Sequence, residues 1–133
     1  MANYVGRARS NYFAVNDLEA FKAYCTRYGL EFIQKDDDPA LVGFIGADED
    51  PLPSQYIDEN DEEVENGVLD ALSEHLAPGH VAVVMEVGNE QMRYLIGRAW
   101  AVSSDGRCKG IDLTGAILKA AHQLGEHVTE PSY

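Results

Sequence analysis

Two long runs of strand-forming residues separated by a short turn signal constrain the fold more than any other feature of this chain. His80 to Val87 is almost entirely Val, Ala and Met, and Gln91 to Val102 carries Tyr, Leu, Ile, Trp and Val. Between them, Gly88-Asn89 supplies residues that tolerate the positive φ of a tight hairpin turn. The runs therefore predict an antiparallel hairpin, whose apolar face must pack against another layer. Asp105-Gly106 offers a second hairpin turn, leading into a strand over Cys108 to Leu113. Upstream, Asn11 to Val15 reads as a short strand. Leu30 to Lys35 and Leu41 to Ile45 read as two more, joined by the turn Asp37-Asp38-Pro39.

Three helices complete the pattern. Asn16 with Glu19 fits a capping box, and the helix that follows aligns Leu18, Phe21, Cys25 and Tyr28 on one face before Gly29 stops it. A second helix is expected over Glu62 to Leu76, with Val64, Val68, Leu72 and Leu76 toward the core. Gly67 weakens it by roughly 1 kcal/mol relative to Ala, and Pro78-Gly79 ends it. A third is expected over Thr114 to Leu124, with Ile117, Ala121 and Leu124 inward and Gly125 just past its end. His75 and His80, flanking Pro78-Gly79, read as exposed turn residues. The order β-α-β-β-α-β-β-β-α predicts an α+β domain over residues 1–133, with a mainly antiparallel sheet of five to six strands and three helices. With 133 residues there is room for one core, and Gly46 to Asp61 is the only long irregular segment.

Charge is distributed very unevenly. Residues 1–35 carry a net +2 and residues 93–133 a net +1, whereas residues 36–92 carry sixteen carboxylates and no Lys or Arg. The total is −13. A direct nucleic-acid binder would show a basic footprint, and a protein docking on anionic lipid a polybasic one. Neither is expected here. No apolar run approaches the roughly 20 residues of a membrane span, and Met1 to Ser10 lacks the apolar core of a secretory signal. Two cysteines, Cys25 and Cys108, make no disulfide framework, so the expected location is cytoplasmic with both thiols reduced.

Motifs for catalysis and cofactors are missing. Asp58-Glu59-Asn60-Asp61-Glu62 spaces oxygen ligands as a calcium loop does, but Glu63 stands where that loop needs Gly and Leu69 where it needs Glu. The cysteines and histidines do not pair at zinc-ligand spacings, and there is no nucleophile elbow, Cys-x-x-Cys, P-loop or dinucleotide fingerprint. Cys25 lies on an apolar helix face and reads as structural. Cys108, between Arg107 and Lys109, reads as a strand cysteine. The expectation is a protein with no catalytic residue, metal site or cofactor.

The acidic centre is the candidate binding feature. It holds Asp36, Asp37 and Asp38, then Asp48, Glu49 and Asp50, then Asp58, Glu59, Asp61, Glu62, Glu63 and Glu65. Like charges this dense oppose folding, since each i,i+4 pair costs about 0.2–0.5 kcal/mol where helical; a basic partner is the expected compensation. Tyr56, alone among these runs, is the expected contact anchor.

The stretches Ser10-Asn11-Tyr12-Phe13 with Val15 and Phe21, and His80-Val81-Ala82-Val83-Val84-Met85-Glu86-Val87-Gly88, resemble small hypothetical proteins of phages and mobile elements. Antirestriction and anti-CRISPR proteins are among the small acidic proteins of such elements, and some present carboxylates where a nuclease expects phosphates. The resemblance implies a non-enzymatic inhibitor that occupies the basic, nucleic-acid-binding surface of a host defence protein. It transfers no site residue. Two alternatives stay open: an interaction or immunity-type protein without nucleic-acid mimicry, and an enzyme with a carboxylate-based or metal-dependent site.

Overall fold

A computed structural model describes residues 4–46, 56–57, 63–64, 67–90 and 94–131, with backbone alone described at 4–5, 56–57, 63–64, 90 and 94. The elements are β1 (Tyr4–Ser10), α1 (Leu18–Arg27), β2 (Glu31–Lys35), β3 (Asp38–Ile45), β4 (Tyr56–Ile57), β5 (Glu63–Val64), α2 (Val68–Leu72), β6 (Val81–Glu90), β7 (Tyr94–Ser103), β8 (Cys108–Asp112) and α3 (Leu113–His122). Six strands form one antiparallel sheet in the order β2-β3-β1-β6-β7-β8, and β4 pairs with β5 separately. The protein is therefore α+β, with the main elements in the order expected from sequence.

The predicted hairpin is its centre. Val81 to Glu90 pair with Tyr94 to Ser103 without a break, so Gly88 and Asn89 lie inside β6 opposite Ile96 and Leu95. The turn expected at Gly88-Asn89 is thus strand, because pairing to both β1 and β7 extends the ladder past it. Gly106, at φ 91°, does occupy the expected second turn.

The first strand lies earlier than expected. Tyr4 to Ser10 pair with β6, and Asn11 to Val15 are irregular apart from isolated bridges at Phe13 and Val15. Side chains take over the pairing where β1 ends. The Ser10 hydroxyl accepts from the Phe44 amide (2.9 Å) and donates to the Asn11 carbonyl (2.7 Å). The Asn11 amide side chain accepts from Val83 N–H (2.7 Å) and donates to the Val81 carbonyl (3.2 Å). Gly43 is required at this junction, since a Cβ there would fall 2.5 Å from the Asn11 carbonyl oxygen.

Helix α1 begins one residue later than the capping-box reading, with Asp17 as cap: its Oδ1 accepts from Ala20 N–H (3.2 Å). Its end is a Schellman motif. Gly29, at φ 67°, donates to the Thr26 carbonyl and Leu30 to that of Cys25, which turns the chain into β2. Helix α2 is far shorter than Glu62 to Leu76. Val64 belongs to β5, and five helical residues give way to a 3-10 turn over Ser73–His75. Within such a short helix, burial of Val68, Ala71 and Leu72 contributes more than propensity does.

The core lies on one side of the sheet. Phe13, Phe21, Tyr24, Val42, Phe44, Leu72 and Val84 are fully buried, with α1 and α2 covering the inward residues of the sheet. Cys25 belongs to it, and burial pushes its thiol up to about 12, as expected of a structural cysteine. Against expectation, His75 and His80 are half-buried. His80 Nδ1 accepts from Ala14 N–H (3.2 Å), and His75 packs 4.9 Å from the Tyr24 ring and 6.2 Å from that of Phe21. Desolvation lowers the His75 pKa. Its contribution to stability is thus complete above the unfolded value near 6.5 and is lost as pH falls below it. Urea unfolding at pH 7.5 and pH 5.5 checks this: the wild-type midpoint is expected to fall more on acidification than that of His75→Phe. Equal decreases in the two proteins would exclude His75 as the titrating group.

Candidate functional site

The first acidic run sits at the tip of the β2–β3 hairpin, where Asp36, Asp37 and Asp38 are all exposed. Two of the three have local work. The turn is Asp36-Asp37, one residue earlier than the expected Asp37-Asp38-Pro39, because Lys35 pairs with Asp38 and draws Asp38 and Pro39 into β3. Asp37 Oδ1 pairs with Lys35 Nζ, and Asp38 Oδ1 accepts from the Ala40 amide (3.2 Å) at the start of β3. An exposed ion pair of this kind contributes little to stability, but it neutralises part of the run. β3 then carries the chain eight residues from Asp38 to Ile45, about 25 Å at 3.3 Å per residue. At that far end Gly46 N–H donates to the Ala8 carbonyl (2.8 Å), two residues before Asp48 in the sequence.

Asp48, Glu49, Asp50, Asp58, Glu59, Asp61, Glu62 and Glu65 lie outside the described residues. Two of the proposed contact residues are placed by backbone: Tyr56 pairs with Val64 and Ile57 with Glu63, so a two-residue ladder joins the segment read as irregular to the residues read as the start of the second helix. Val68, the first residue of α2, accepts a 2.5 Å hydrogen bond from the buried Tyr24 hydroxyl through its carbonyl.

A second surface escaped the sequence reading. The outward side of β6 presents Val81, Val83, Met85 and Val87, each 38–54 % exposed, in alternation with buried Ala82, Val84 and Glu86. An antiparallel sheet with a solvated face normally shows polar residues there. Arg9 pairs with Met85, Met85 with Ala99, and Ala99 with Ile111, so one row crosses four strands on this side. The next row runs Arg7, Val87, Gly97. The available signal was the unbroken apolar run from Val81 to Met85, which is the pattern of a strand covered on both faces.

Helix α3 belongs to this surface and corrects another expectation. Asp112 caps it by accepting from Gly115 N–H (3.4 Å), yet none of its residues is buried. Ile117 and Leu124, expected inward, are 55 % and 91 % exposed, and Ala121 is half-buried. Leu113 comes within 2.9 Å of where a Cβ on Gly97 would sit, and Ala116 lines the same stretch of the sheet.

Other reactive groups are dispersed. Cys108 is a free, exposed thiol on edge strand β8. Asp105 is pulled down to about 2 by the Ser103 hydroxyl and then by Arg107, whose Nε lies 3.1 Å away, and this ties off the β7–β8 turn. Among the described residues, no three His, Cys, Asp or Glu gather where they could hold a metal ion, and no helix is long and apolar enough to cross a membrane. Comparison with known protein families, with curated proteins and with solved structures finds no match to this chain.

Proposed function

We propose that this protein is a non-enzymatic binding protein whose acidic segment, chiefly residues 46–66, occupies a basic, nucleic-acid-binding surface of a partner protein. One observation carries the reading: sixteen carboxylates over residues 36–92 without a single Lys or Arg. Surfaces that receive DNA are lined with Lys and Arg to match about one charge per 1.7 Å of duplex, and a carboxylate-rich polypeptide competes for the same groups. We extend the proposal to the class of job that the resemblance read in the sequence implies, with a host defence component as partner. The reading places the protein in the cytoplasm, consistent with two free cysteines.

The reading also has a steering consequence, since complementary fields accelerate association and salt weakens it. A partner captured from host lysate at low salt is expected to be released by double-stranded DNA in a concentration-dependent way. It is also expected to be released progressively as NaCl rises. Release by salt but not by DNA would favour the interaction or immunity-type reading. Turnover of a substrate by the isolated protein would favour the enzymatic one.

A further inference from the structure

We propose that the outward face of the sheet, together with α3, is a dimer interface covered by a second copy of this chain. The face has relief of its own. Gly97, Ala99 and Ala101 on β7 floor a furrow between two ridges: the β6 valines with Met85 on one side, and Ile111 with Leu113 on the other. A concavity of about 130 Å³ opens between Met85, Val87 and Leu113, and another of about 410 Å³ lies between Met85 and the arginines of β1. Beside the furrow stands a helix with no buried residue, although its sequence, Leu-Thr-Gly-Ala-Ile-Leu-Lys-Ala-Ala-His, carries one lysine and is otherwise mostly apolar. A ten-residue helix is marginal in water without an apolar partner.

A second copy fits both needs at once. A two-fold pair joins the same patch to itself, so each copy can offer its α3 as the ridge and its furrow as the receiving groove. The area is sufficient. Seven apolar side chains, 38–66 % exposed, form one patch of roughly 600 Å², as large as monomers tolerate. Two such patches bury roughly 1,200 Å², the lower bound of stable, specific interfaces.

Charge selects the same face. Two chains of −13 repel one another in general, but this side carries Arg7, Arg9 and Lys109, against one exposed carboxylate, Glu31, in the row of Arg9. Glu126 and Glu130 are exposed just after α3. A two-fold pairing in which α3 of the second copy crosses β6 toward β1 would set these carboxylates on the side of the face that carries Arg7 and Arg9. The complementarity is thus built from one sequence.

Sedimentation equilibrium of the full chain, from about 5 to 200 µM, tests the proposal. The wild type is expected to show a species of twice 14.6 kDa. Met85→Glu and Ile117→Glu, which place a charge in the buried interface, are each expected to raise the dimer dissociation constant at least about a hundredfold. Ala23→Glu, on the exposed side of α1, is expected to leave it unchanged. Circular dichroism melts establish that the variants fold; Ile117 lies in a helix with no buried residue, so its variant remains informative even where Met85→Glu unfolds. A wild type that stays at 14.6 kDa throughout overturns the proposal. So does a dimer indifferent to both substitutions, which would place the contact elsewhere, such as the exposed edge of β8.

Discussion

Phe21→Ala is expected to destabilise the protein by about 3–5 kcal/mol, the range for emptying a large aromatic site in a core. Phe21 is completely buried and central to a ring cluster. Its ring meets that of Phe13 edge-on at 5.6 Å, Tyr24 in a stacked arrangement at 5.7 Å, and Phe32 at 6.0 Å. Each such pair contributes about 0.5–1.5 kcal/mol beyond area burial, so the substitution loses pair geometry as well as volume. Domains of this size have about 5–15 kcal/mol in total, so the loss is a large fraction of the whole. Urea denaturation at one fixed protein concentration measures it, because self-association adds to apparent stability. Leu124→Ala, at a side chain 91 % exposed, is the contrast and is expected to change stability by less than about 0.5 kcal/mol. A loss below about 1.5 kcal/mol for Phe21→Ala would show that α1 is not the keystone of the core.

The second large effect concerns binding. Replacing Asp58, Glu59, Asp61, Glu62 and Glu63 by Asn or Gln is expected to lower affinity for the basic partner about a hundredfold at low salt and to flatten its salt dependence. The corresponding triple replacement at Asp36, Asp37 and Asp38 is expected to do much less. Asp37 is already paired with Lys35, and Asp38 is engaged with its own turn. Affinity measured across a NaCl series for both variants distinguishes them. An unchanged quintuple variant would remove the basis for a charge-driven partner, and a stronger effect from the triple variant would move the contact to the β2–β3 tip.

Most of the sheet was legible because strand propensity, alternation and turn chemistry agree along β2, β3, β7 and β8. The errors fall where tertiary pairing overrode local signals. Gly88-Asn89 is a good turn in isolation, but two neighbouring strands hold it extended. Asn11 to Val15 has strand composition, yet the ladder passes to the side chains of Ser10 and Asn11. The helix expected to begin at Glu62 loses its first turns, and Val64 pairs with Tyr56 instead. In the candidate site, the carboxylates were visible as composition, whereas the engagement of Asp37 and Asp38 in their own hairpin appeared only in three dimensions.

The sequence by itself determined the class of fold, the element order and the segregation of charge. These follow from side-chain type and from periodicities of two and 3.6 residues, which are local properties. Only the tertiary structure decided which faces are covered. Val81, Val83, Met85 and Val87 have the same apolar character as their buried neighbours on β6, and Ile117 the same as a core helix residue. Hydrophobicity states that a side chain gains from leaving water; it does not state what will cover it. In this chain α1 and α2 cover one side of the sheet, and the other side, with α3, is left exposed within the single chain.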